Sequence, residues 1–107
     1  METKATSSQS SKVEELPSAT TLQNIAKLAV IHDKPAMFDY WSDSLDNKVI
    51  IGVKETDNGR LQYLVKSEDE YTSPVEKIYK VGAEYIIMTE NSIYVVSSKI
   101  STKRITN

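Results

Sequence analysis

The chain has 107 residues, with 13 basic and 15 acidic side chains, a formal charge of −2 and no cysteine. That length buries one core and not two, and the missing thiols exclude a disulfide staple, a cysteine nucleophile and a thiolate metal site. Near-balanced charge gives no global attraction to a polyanion, and no apolar run reaches the roughly 18–20 residues of a membrane span.

Residues 1–18 are rich in Ser, Thr, Lys and Glu, with Val13 and Leu16 the bulky apolar exceptions after the initiator. Such a stretch buries too little surface to offset its ordering entropy, so the reading is a disordered tail. The start also lacks the apolar segment of a secretory signal. The product is therefore expected to be soluble and intracellular.

From Thr20 the pattern becomes helical. Leu22, Ile25, Ala26 and Ala29 recur at the spacing of one helix face, and Leu28 and Ile31 widen the stripe. Thr20 with Gln23 forms a capping-box pattern, and Pro35 ends the helix near His32 or Asp33.

Residues 36–41 read as a first strand, with Met37, Asp39 and Trp41 on one face and Ala36, Phe38 and Tyr40 on the other. Small polar residues over 42–47 predict a turn. A second strand over 48–54 sets Val49, Ile51 and Val53 on one face. Its Gly52 marks a bulge or the close approach of another backbone. Asp57, Asn58 and Gly59 are the strongest turn signal, because Asn-Gly readily supplies positive φ angles. A third strand returns over 60–66. Residues 67–74 form an acidic loop, a strand follows over 75–81, and Gly82-Ala83 is a turn.

Residues 81–97 carry the densest β signal. Tyr85, Ile86, Ile87 and Met88 face Ile93, Tyr94, Val95 and Val96 across a turn at Glu90-Asn91. Both runs are nearly continuous in apolar residues, which predicts that both faces of this hairpin are covered. A polar tail closes the chain over 101–107, with Ile100 and Ile105 placed to prolong a strand. The expected fold is α+β: one N-terminal helix packed on a bent antiparallel β-meander, or small open barrel, of about six strands, in a single domain over 19–100.

No catalytic, cofactor-binding or metal-binding residue is assigned. His32 is the sole histidine, beside Asp33 and Lys34, and reads as a polar helix end and not a general base. Asp39, Asp43 and Asp46 miss the spacing of a calcium loop, as do Glu55, Asp57 and Gly59. Glu68, Asp69 and Glu70 read as a solvated loop; the alternatives are a docking patch for a basic partner or an acid-directed phosphorylation signal at Ser67 or Thr72. Lys99, Lys103 and Arg104 with the six tyrosines raise nucleic-acid binding, yet no face interleaving aromatics with many cations is evident from the sequence.

Two resemblances follow. Residues 33–41, Asp-Lys-Pro-Ala-Met-Phe-Asp-Tyr-Trp, resemble the strand that leads into the active site of thioredoxins. No cysteine pair follows, so no redox role carries over. More broadly, Asp33-Lys-Pro with Asp39-Tyr-Trp, Leu64-Val-Lys-Ser with Glu70-Tyr-Thr-Ser-Pro, and Glu84-Tyr-Ile-Ile-Met-Thr-Glu-Asn-Ser-Ile-Tyr resemble small uncharacterised proteins of large double-stranded DNA viruses of eukaryotes. That resemblance implies a viral accessory or virion-associated protein, in the host cytoplasm or virion, and carries no functional residue with it. The leading expectation is a non-enzymatic interaction or structural module with a protein partner or self-association, and no cofactor. The alternatives are a small regulator that binds a peptide by strand addition and a nucleic-acid-binding accessory protein.

Overall fold

The computed structural model describes residues 15–105. The expectation of disorder over 1–14 lies outside them. Helix α1 (Ala19–His32) is followed by β1 (Ala36–Met37), a short helix α2 (Trp41–Leu45), β2 (Ile50–Thr56), β3 (Gly59–Ser67), β4 (Glu70–Tyr71), β5 (Val75–Val81), β6 (Glu84–Thr89), β7 (Ile93–Ser97) and β8 (Ser101–Arg104).

The α+β class holds, but the single meander does not. The described strands form two four-stranded sheets, ordered β1-β7-β6-β5 and β4-β3-β2-β8. Each is antiparallel except for one parallel edge pair, β1 with β7 and β2 with β8. Neither closes into a barrel.

The β6–β7 hairpin is the middle of the molecule. Ile86, Met88, Ile93 and Val95 pack with Ile25 of α1 and Trp41 of α2, while Ile87 and Val96 pack with Ile51 and Leu64 of the second sheet. Both faces are therefore covered, which is why its apolar runs are nearly unbroken. The layers run helix, sheet, sheet.

Helix α1 is capped by Ser18, whose Oγ accepts from the Thr21 N–H at 3.2 Å, and not by Thr20. The buried stripe is Thr21, Ile25, Leu28 and Ala29, one step round from the expected one, so Ala26 is exposed. The Glu84 carboxylate of β6 explains that rotation. It accepts from Ser18 N–H (3.3 Å) and Thr21 Oγ1 (2.5 Å), fixing a threonine against the sheet. Pro17 is buried and Trp41 Nε1 donates to the Glu15 carbonyl at 3.0 Å, so residues 15–18 belong to the folded body and not to a tail. At the other end Asp33 takes a left-handed conformation (φ 54°) and donates to Ala29, closing the helix where Pro35 predicts.

The expected strand over 36–41 stops at Met37. Trp41 N–H bonds the Phe38 carbonyl, turning the chain into α2 where a polar turn was expected. Trp41, Ser44 and Leu45 have the i, i+3, i+4 spacing of one helix face. Ser44 Oγ donates to the Trp41 carbonyl (2.6 Å) and accepts from the Ser97 N–H (2.9 Å), tying α2 to β7.

In the β2–β3 hairpin Thr56 pairs with Gly59, so the loop is Asp57-Asn58 and only Gly59 has positive φ (124°). Part of the acidic loop folds back as β4 onto β3. The close approach at Gly52 comes from side chains: a Cβ there would sit 3.1 Å from Val65 and 3.2 Å from Ile105. The span 101–107, expected as a tail, supplies β8. Ile105 N–H donates to the Val53 carbonyl at 2.8 Å and its side chain covers Gly52, a contact between residues too far apart for local pattern to reveal.

Candidate interaction surface

The structure scatters the polar candidates. His32 is exposed in the last turn of α1. Asp43 and Glu70 flank Lys66 at 3.4 and 3.6 Å, while Asp39 is exposed in a turn. Among the described residues no group of three or more His, Asp or Glu side chains gathers as a metal site. Thr72 is buried, accepting from the Leu64 N–H at 3.1 Å, and is committed to holding β3 in place, whereas Ser67 stays exposed. Lys99, Lys103 and Arg104 are all exposed, the last two on β8.

Burial shifts two tyrosines. Tyr40 is 4% exposed, and its hydroxyl is pushed up to about 12, first by burial and then by neighbouring Tyr94, Glu70 and Asp39. Tyr94, edge-on to it at 5.2 Å between ring centroids, is raised by burial as well. The Lys66 ammonium sits 4.5 Å from the Tyr40 centroid. These groups hold the inter-sheet core shut.

Two surfaces stand out among the described residues. The outer face of the β4-β3-β2-β8 sheet forms a shallow trough of about 650 Å³ that includes Ile50, Tyr63, Val65, Tyr71 and Ile105. Tyr63 and Tyr71 meet edge to face at 6.1 Å. Lys48 and Lys54 also line it, but Lys66 is paired with Asp43 and Glu70, and Glu68 opposes them. Aromatics and cations thus share a face that the sequence did not display, though two lysines against a glutamate are few for tracking a phosphate backbone.

The second surface is the outer edge of β5. Among the described residues this seven-residue strand lies at the end of its sheet, with β6 as its one strand neighbour. Val81 and Glu84 close the two-residue turn, so Ile78 and Lys80 direct their backbone N–H and C=O groups away from β6. Beside this edge runs an apolar groove of about 210 Å³ between α1 and β5, lined by Leu28, Ile31, Tyr79, Val81 and Ile86 and rimmed by Asn24 and Lys27. Ile31 is 62% exposed there. Lys77 lies over the Tyr79 ring at 5.4 Å.

The sequence supplied the strand 75–81 but not its position at a sheet edge, because strand order depends on partners distant in the chain. Among the described residues no helix is long and apolar enough to cross a membrane. No protein-family model matches the sequence, and neither the curated proteins nor the solved structures provide a match.

Proposed function

We propose that this chain is a non-enzymatic interaction module that takes up an extended protein segment along the outer edge of β5. The observation that carries this reading is a seven-residue strand with no outer strand neighbour among the described residues, lying beside an apolar groove. In strand addition the main-chain groups of the edge supply affinity, and a neighbouring groove selects alternate side chains of the incoming strand. Leu28, Ile31, Tyr79 and Val81 suit an apolar side chain, and Lys27 at the rim favours an acidic neighbour. The resemblance to small proteins of large double-stranded DNA viruses adds a setting: an accessory or virion-associated protein. Bond-making has no part in this reading.

A photo-crosslinking residue placed at Lys80, in the full chain expressed in its native setting, tests it. Adducts to a protein segment are expected at position 80 and not at Asp57, on the tip of the β2–β3 hairpin. Equal yields at the two positions, or none at 80, would sink the reading.

A further inference from the structure

Apart from the β5 edge, we propose that the outer face of the β4-β3-β2-β8 sheet is a second docking surface, for an acidic protein segment that carries bulky apolar side chains between its carboxylates. The first sheet has α1 packed on its outer face, whereas the second keeps a shallow trough of about 650 Å³ there. The trough has an apolar floor. Ile50 of β2 and Val65 of β3 are cross-strand neighbours, and Ile105 reaches over Gly52 from the β8 side. Tyr63 of β3 and Tyr71 of β4 form a wall, and Tyr71 is 59% exposed, so its ring and not only its hydroxyl meets water.

The cations stand around this floor and not within it. Lys48 and Lys54 bracket Ile50 and Gly52 along one strand line, a span of about 20 Å at the rise of extended chain. Lys103 lies side by side with Gly52 in the parallel β2–β8 ladder, which puts its side chain on the same face. Lys66 is held by Asp43 and Glu70, but among the described residues no ion pair engages Lys48, Lys54 or Lys103. Glu68 is the one carboxylate among the described residues that line the trough. On a chain of formal charge −2, this face is locally positive.

That layout selects the partner. A single-stranded nucleic acid carries a charge at every nucleotide and would lay several along the apolar floor, where no cation meets them. A protein segment can keep carboxylates at its two ends and apolar side chains between them. In an extended segment, carboxylates about six residues apart match the Lys48 to Lys54 span. The side chains between them then cover Ile50, Val65 and the exposed Tyr71 ring. Because the trough is shallow, the backbone of the segment stays in water and needs no partner from the sheet.

Fluorescence anisotropy on the full chain tests this, with a labelled peptide whose Leu-Phe-Leu centre is flanked on each side by a serine and two glutamates. The peptide is expected to bind, and more weakly at raised salt. Lys48→Glu combined with Lys103→Glu, both at exposed positions, should weaken it by about tenfold or more. Tyr71→Ser should weaken it without changing the salt dependence. Trp41 fluorescence verifies that each variant folds. No binding, equal binding of a peptide with lysines for its glutamates, or variants that bind as the wild type does each overturns the proposal. Tighter binding of an oligothymidylate assigns the face to single strands and overturns it as well. Weakening by Lys80→Glu in place of the trough variants puts the peptide on the β5 edge and overturns the second surface. Crosslinking at position 80 reports on the β5 reading independently of all these results.

Discussion

Tyr40 and Trp41 are neighbours in sequence that serve different cores. Tyr40 lies between the two sheets with Ile87 and Val96, whereas Trp41 lies under α1 with Ile25 and Met88. The buried Tyr40 hydroxyl gives this arrangement a pH signature. Its folded-state value, about 12, stands above the ordinary 10.0, so the unfolded chain ionises first as pH rises. The stability linked to this proton is complete below pH 10.0 and is lost as pH climbs toward about 12. Urea unfolding at stepped alkaline pH should show the wild type weakening over that window. Tyr40→Phe should weaken less, retaining only the smaller share due to Tyr94. Gly52 makes a comparable point without charge: a side chain there meets Val65 and Ile105, so the position is small because its sheet face is already occupied.

Among the elements, the β6–β7 hairpin carries the most weight. Consecutive residues on β6 point to opposite faces, Ile86 toward the helix layer and Ile87 toward the second sheet, and both are fully buried. Ile86→Ala and Ile87→Ala should therefore each cost about 2–5 kcal/mol in denaturant unfolding. A sheet with one wet face would lose stability at only one of the two positions. Helix α1, too short to persist alone in water, is held by Ile25 beneath it and by Glu84 at its first turn.

For the whole molecule, the two sheets place the chain ends unequally. Residues 15–18 strap onto α2 through Trp41, and β8 seals the edge of β2. Ending the chain at Ile100 should expose the β2 edge, remove the Ile105 cover from Gly52 and lower the thermal midpoint by about 5 °C or more. An unchanged midpoint would show that β8 contributes nothing to the fold. In the intact chain β8 is the end strand of its sheet, as β5 is of the other among the described residues.

Local pattern alone determined the helix near residues 20–33, the strand over 75–81, the hairpin over 81–97 and the burial of both its faces, because periodicity and turn chemistry act within a few residues. It misread 36–47, where Tyr40 and Trp41 mimic a strand but part company to fill separate cores. Tertiary structure alone decided the division into two sheets, the parallel docking of β8, the turn of α1 that seats Thr21 on Glu84, and the place of β5 at the end of its sheet among the described residues. Each depends on contacts between residues far apart in the chain, and no window of sequence contains both partners.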